Sequence, residues 1–163
     1  RENTNLALAS LHARLCQEPA VRKKLKALLG ADTPKVGKAV FAAPFNAIWT
    51  GADQWLISAP YESHEEMGAD LAAQFAGIAS VTEQSDAWAI FDLSGEGIKD
   101  VMELLCSINM RSFKQGDAAR TSIHHLGCFV VHLPDQDGLR VIGPRASAGS
   151  LHHALVTAMH SAL

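Results

Sequence analysis

Pairs of short strand-like segments alternate with single amphipathic helices along this chain, and this alternation constrains the fold more than any other feature. In the first pair, 47–50 and 54–59, the turn residues 51–53 separate two apolar segments, which is typical of a hairpin. Apolar residues then recur every four positions between 67 and 75, which predicts a helix over 61–77. This order of strand, strand and helix predicts an α+β fold with an antiparallel-rich sheet and helices packed on one face.

The remaining segments follow the same scheme. A helix is predicted over Glu18–Leu29, with Pro19 in its first turn and Gly30 as its C-cap. The preceding residues, 6–15, suit either a short helix or an extended lead-in. Strands are predicted at 79–82, 88–93, within 119–133 and at 139–142, and further helices begin at Ser94 or Gly95 and at Ser150.

Polar and small residues predict where these elements begin and end. Ser63 and Glu66 have the spacing of a capping box and would begin the second helix. The residues at 84–86 suit a turn between two strands, and Gly127 suits a bulge or a break within 119–133. The sequence at 134–138 is that of a turn before the last strand.

Length and composition set the class of protein. A chain of 163 residues, 48% apolar and 19% charged, predicts one globular domain, 1–163, within which 1–45 is a helical or extended segment. The net charge of −3 gives no basic footprint for nucleic acid, and no apolar run is long enough for a membrane helix. Three widely spaced cysteines favour a reducing, cytoplasmic setting.

No motif for a nucleotide, a metal or a nucleophile stands out. After Gly95 and Gly97, a dinucleotide fingerprint needs a third glycine where Asp100 stands, and a carboxylate there would repel a pyrophosphate. The eight histidines include two adjacent pairs, at 124–125 and 152–153, but neighbours in a strand point to opposite faces. We therefore predict no catalytic, cofactor-binding or metal-binding residue on this chain.

Five residues are candidates for a partner interface or an anion contact. Arg120 and Arg145 lie among small or apolar residues, where a guanidinium could clamp a carboxylate or phosphate or tie a loop to backbone carbonyls. Trp49 and Trp55 could be core residues or anchors at a subunit contact. Asp53, in the turn between them, completes the set.

Several segments together resemble the gamma subunit of heterotetrameric sarcosine oxidase. They occur in the family's order from about Asn46 to the C-terminus, over roughly the last two thirds of the chain. They are IWTGADQWLI at 48–57, VTEQSD at 81–86, FDLSG at 91–95, LLC at 104–106, Phe113 with Gly116, ART at 119–121 and RASA at 145–148.

This resemblance implies a fold like the folate-binding domain of the glycine-cleavage aminomethyltransferase. It implies a non-catalytic subunit of a complex that oxidises sarcosine to glycine, with formaldehyde or methylenetetrahydrofolate and hydrogen peroxide as products. The alpha, beta and delta subunits of the heterotetramer would be its partners and would carry FAD, FMN, NAD, zinc and tetrahydrofolate.

Two other functions stay open at this point. One is a free-standing folate-binding or folate-dependent protein of the same fold. The other is a small-ligand binder in which Arg120 or Arg145 holds an anion.

Overall fold

The computed structural model describes residues 1–134 and 138–162, which fall into two compact units. The first unit is 5–86, and the second comprises 1–4 together with the described residues from 87 onward. The prediction that 1–163 forms one domain is not decided by this division and stays a prediction. Among the described residues, no helix is long and apolar enough to cross a membrane.

The first unit is a five-stranded antiparallel sheet with two helices. The strands lie in the order β2-β3-β4-β1-β5, and every neighbouring pair is antiparallel. Along the chain its elements are β1 (Leu6–Ala13), α1 (Glu18–Leu29), β2 (Ala39–Phe41), β3 (Asn46–Gly51), β4 (Gln54–Pro60), a single 3₁₀ turn (Tyr61–Ser63), α2 (Met67–Gln74) and β5 (Ala79–Glu83).

Both helices of the first unit bury one apolar stripe against one face of its sheet. Val21, Leu25 and Leu29 of α1 share a core cluster with Leu71 of α2 and with alternate residues of the strands. Gly30 ends α1 in the left-handed conformation, with φ of 63°, which glycine adopts without steric cost. The bounds predicted for this helix are therefore confirmed.

The second unit is a four-stranded antiparallel sheet with two helices. The strands lie in the order β6-β9-β8-β7, and a bridge between Glu2 and Phe91 continues the sheet beyond β6. Along the chain its elements are β6 (Trp88–Leu93), α3 (Ile98–Leu105), β7 (Ala118–Ile123), β8 (Leu126–His132), β9 (Leu139–Pro144), a single 3₁₀ turn (Arg145–Ser147) and α4 (Ala148–Ala162).

A close approach between α4 and its sheet depends on Gly143. A β-carbon added at Gly143 would overlap Cδ2 of Leu151 on α4 and would lie 3.1 Å from Sγ of Cys128 on β8. Leu151 and Cys128 are fully buried in the core of the second unit. A glycine is therefore what lets this helix pack directly on the sheet.

The predicted start of the second helix is wrong. Residues 61–63 form a separate 3₁₀ turn, and α2 begins only at Met67. The Ser63 hydroxyl donates to the carbonyl oxygen of Pro60 and contacts Nδ1 of His64, so it does not cap a helix. Pro60 has an extended backbone just before this turn. Because the Ser63 hydroxyl bonds within the turn, it is not available to cap α2 as the capping box predicts.

The last two helices also begin elsewhere than predicted. The third begins at Ile98, because Gly95 and Gly97 have positive φ angles that a helix excludes. The fourth begins at Ala148, two residues before the predicted cap, Ser150. The 3₁₀ turn at 145–147 precedes α4 and continues into it without a break.

The predicted break within 119–133 lies elsewhere than at Gly127. His124 and His125 form the turn between β7 and β8, and Gly127 is an ordinary strand residue. The turn predicted at 84–86 is confirmed, with turn residues at 85–87, but the two strands that it joins belong to different sheets, because β5 pairs with β1 and β6 pairs with β9. Of the predicted turn at 134–138, residues 135–137 lie outside the described residues.

Candidate functional site

Three turns of the chain come together at one end of the first sheet. The turn at 14–17 follows β1, the turn at 35–38 precedes β2, and the turn at 51–54 joins β3 to β4. The strand register places them side by side, since His12 pairs with Gln54 and Ala39 pairs with Ile48. We call these residues, 14–17, 35–38 and 51–54, the turn end.

Asp53 ties the turn end to α1. Its carboxylate accepts two hydrogen bonds from the Arg22 guanidinium, at 2.6 Å from Nε to Oδ1 and 2.8 Å from Nη2 to Oδ2. Its backbone carbonyl accepts a hydrogen bond from the amide of Ala13 at 3.0 Å. Asp53 raises the pKa of Arg22 above its ordinary value, mainly because its carboxylate accepts the hydrogen bonds and secondly because it is negatively charged. The carboxylate of Asp53 is therefore committed to a contact within the unit.

The two tryptophans beside Asp53 face different surroundings. Trp55 is only 3% exposed, belongs to the core cluster of the first unit and donates its indole N–H to the carbonyl oxygen of Pro34 at 3.4 Å. Trp49 pairs with it across the strands and is half-buried. Of the two interpretations given for these tryptophans, the burial of Trp55 fits a core residue, whereas Trp49 is partly exposed on β3 next to the turn end.

The two candidate arginines lie in the second unit, and both are exposed. The Arg120 guanidinium lies 5.8 Å from the ring centre of Phe129, the residue paired with it on β8, which makes a cation–π contact. Arg145 begins the 3₁₀ turn before α4, and its backbone amide donates to the carbonyl oxygen of Ala87 at 3.0 Å. The geometry thus shows a side-chain contact with Phe129 for Arg120 and a backbone contact with Ala87 for Arg145.

The histidine pair at 124–125 forms a tight turn. Both residues have positive φ angles, 48° and 67°, and their ring centres lie 5.9 Å apart. Two consecutive left-handed residues are the geometry of the hairpin turns whose twist matches the flanking strands. Within 1–134 and 138–162, no group of three His, Cys, Asp or Glu side chains is placed to hold a metal ion.

The three cysteines differ in exposure. Cys16 is exposed at the turn end, whereas Cys128 is buried and Cys106 is partly buried. Burial raises the pKa of the Cys106 and Cys128 thiols above the ordinary value. A raised pKa lowers the fraction of thiolate, which is the nucleophilic form of cysteine.

A cavity of about 430 Å³ lies in the second unit between α4, β6 and residues 1–2. Its wall is mostly apolar, with Phe91, Leu93 and Leu155, and His152 contributes the one imidazole. The His152 ring lies 5.9 Å from the Phe91 ring. None of the five residues singled out from the sequence lines this cavity.

Comparison with solved structures identifies the fold. The chain superimposes on a chain of heterotetrameric sarcosine oxidase from Corynebacterium sp. U-96, solved with pyrrole 2-carboxylate, with a TM-score of 0.84 and 20% sequence identity. The match covers 99% of this chain and 83% of the other. The two chains share one fold.

A second solved structure, glycine cleavage system aminomethyltransferase T from Bartonella henselae, gives a TM-score of 0.74 at 14% identity. That match covers 95% of this chain but only 44% of the transferase. The predicted α+β class, with antiparallel sheets, packed helices and a likeness to the aminomethyltransferase, is therefore confirmed. The sequence matches none of the protein-family models and none of the curated proteins with which it was compared.

Three features of the turn end were not singled out from the sequence. Leu15 and Val36 are 87% and 74% exposed, the two most exposed large apolar side chains among the described residues. The ion pair between Arg22 and Asp53 joins residues 31 positions apart, so no local pattern indicates it. A sequence signal exists for Val36, an apolar residue in a segment where Pro34 and Gly37 predict a turn, but not for Leu15, which belongs to the helical or extended lead-in at 6–15.

Proposed function

We propose that this chain is the gamma subunit of a heterotetrameric sarcosine oxidase and contributes to assembly rather than to catalysis. One observation carries the proposal: nearly the whole chain matches most of a single chain of the Corynebacterium enzyme. The sequence segments between 48 and 148 that resemble the gamma subunit family support the same assignment.

Three of the five candidate residues make contacts within this chain. Asp53 is engaged by Arg22, Trp55 is part of the core, and Arg120 stacks on Phe129. In the proposed complex the alpha, beta and delta subunits carry FAD, FMN, NAD, zinc and tetrahydrofolate. Sarcosine is oxidised there to glycine, with hydrogen peroxide and formaldehyde or methylenetetrahydrofolate as products, in the cytoplasm.

Co-expression tests this proposal. A tagged form of this chain should co-purify with alpha, beta and delta subunits as one complex of four different chains. The complex lacking this chain should be less stable, which thermal inactivation of its sarcosine-dependent peroxide production would measure. A stable, equally active complex that excludes this chain would refute the proposal.

A second candidate function, a free-standing folate-binding protein, is favoured by the likeness to aminomethyltransferase T. Titration of the isolated chain with tetrahydrofolate in a calorimeter separates the two. The gamma-subunit proposal predicts no saturable heat from this chain alone. Saturable binding together with a rise in the melting temperature would favour the second candidate.

A further inference from the structure

The charges of the first unit are segregated along its sequence. Between residues 14 and 38 there are only two acidic residues, Glu18 and Asp32, and all the cations of the unit lie there: Arg14, Arg22, Lys23, Lys24, Lys26, Lys35 and Lys38. No lysine or arginine occurs from 39 to 86, where the acidic residues are Asp53, Glu62, Glu65, Glu66, Asp70, Glu83 and Asp86.

The fold converts this segregation into two ends of different charge. The turn end lies where β1 finishes and β4 begins, and it contains Arg14, Lys35 and Lys38. The segment after β4 and the segment after β5 lie at the opposite end of the sheet, because Leu6 pairs with Pro60. Glu62, Glu65 and Glu66 follow β4 at that end, where Glu83 finishes β5 and Asp86 follows it, while Asp70 lies on α2.

Part of the positive charge is neutralised within the unit. Arg22 is paired with Asp53, and Lys26 with Asp32 at 2.5 Å. Lys24 donates to the carbonyl oxygen of Gln74 and lies over the Phe75 ring. The turn residues Arg14 and Lys35 are exposed at the turn end itself, and Lys35 adds to Lys26 in lowering the pKa of Asp32.

The two most exposed large apolar side chains lie in the turns at this same end. Leu15 lies in the turn closed by the hydrogen bond from the amide of Gln17 to the carbonyl of Arg14. Val36 lies in the turn closed by the bond from the amide of Lys38 to the carbonyl of Lys35. Strands β1 and β2 are three positions apart in the sheet, so the two turns lie roughly 14 Å apart at about 4.8 Å per strand.

We propose that the turn end is the surface through which this chain docks onto a partner subunit. Leu15 and Val36 are its two apolar contacts, and Arg14 and Lys35 are the cations next to them in the same two turns. The turn that contains Asp53, paired with Arg22, lies between these two turns. Interfaces combine apolar contacts with polar and charged ones. The occupant is a protein surface with apolar pockets for Leu15 and Val36 and acidic residues beside them, because opposite charges favour encounter and correct orientation. The inference rests on the proposed function and names the surface that the assembly would use.

Paired aspartate substitutions test the apolar contacts. The double variant Leu15→Asp with Val36→Asp is compared with Leu104→Asp, which changes a 61% exposed leucine on α3 of the second unit. Binding to an immobilised complex of alpha, beta and delta subunits is measured for each. We expect at least a tenfold weaker affinity for the double variant, unchanged affinity for the control, and unchanged melting temperatures for both.

Charge reversal tests the cations. We expect Arg14→Glu with Lys35→Glu to slow association at least threefold at low salt, with the difference shrinking as salt rises. Lys99→Glu, on α3, is the matched control and should leave the association rate unchanged.

The outcomes separate this inference from the proposed function. If the wild-type chain binds and the double variant binds equally well, the inference is overturned while the proposed function stands. If the wild-type chain does not bind the alpha, beta and delta subunits at all, both fail. A wild-type dimer that is lost in the double variant, seen by sedimentation, would mean that a second copy occupies this surface and would also overturn the inference.

Discussion

Replacement of Gly143 by alanine should destabilise the second unit strongly. The added methyl group would overlap the side chain of Leu151 and lie 3.1 Å from the Cys128 sulfur, and both of these residues are fully buried. Neither neighbour can move into solvent, so α4 must shift or a core side chain must leave its rotamer. Overpacking of this kind costs about 1–3 kcal/mol. For a chain of this size that corresponds to a fall in melting temperature of roughly 3–10 °C.

The control is Gly149→Ala in the first turn of α4. A methyl group at Gly149 meets nothing within 4 Å, and alanine favours the helix over glycine by up to about 1 kcal/mol. Thermal unfolding followed by circular dichroism should therefore show a lower melting temperature for Gly143→Ala and an unchanged or higher one for Gly149→Ala. An unchanged Gly143→Ala variant would refute the close packing of α4 on the sheet.

Three further predictions concern stability and reactivity. Burial raises the pKa of Asp92, but hydrogen bonds from Arg140 and Asn3 outweigh it and hold the pKa below the ordinary value. A carboxyl whose pKa is lower in the folded state stabilises the fold above its unfolded pKa, and this stabilisation is lost as it becomes protonated. As pH falls from about 5 to about 3, the free energy of unfolding should therefore drop more for the wild type than for Arg140→Met. Urea unfolding at the two pH values measures both. Trp55→Phe removes the indole hydrogen bond to a backbone carbonyl and part of a buried ring, and it should lower the free energy of unfolding by about 1–3 kcal/mol in the same assay. An aromatic disulfide reagent should modify one thiol rapidly, at Cys16, and the two more buried thiols only after unfolding; three equally fast thiols would contradict the described burial.

Local patterns predicted most of the elements because each depends on near neighbours in the chain. The stripe and terminal glycine of α1, and the turn between β3 and β4, act within a few residues, and both were predicted correctly. Ser63 shows where local reasoning fails: its capping-box spacing was present, but the hydroxyl is used by a 3₁₀ turn behind Pro60. The mixed spacing of the apolar residues in 6–15 suits either a helix or an extended segment, and the structure has the strand β1 there, over Leu6–Ala13.

Pairing between distant segments could not be predicted in the same way. Nothing within 79–93 indicates that β5 joins a sheet with β1 while β6 joins one with β9, since strand pairing is decided by the packing of the whole unit. The turn end could not be predicted from local patterns for the same reason. The turns that carry Leu15, Val36 and Asp53 come to one end of the sheet only through the order of the strands, so the sequence indicates Asp53 as a candidate but not the surface that contains it.

The central claim, that this chain is an assembly subunit of a sarcosine oxidase, is tested most directly by the mass of the complex it forms. The chain is mixed with purified alpha, beta and delta subunits and passed through size-exclusion chromatography with light-scattering detection. The account predicts a single peak whose mass equals the sum of one copy of each of the four chains. Elution of this chain at its own mass of 17.4 kDa, apart from an intact complex of the other three, would contradict it.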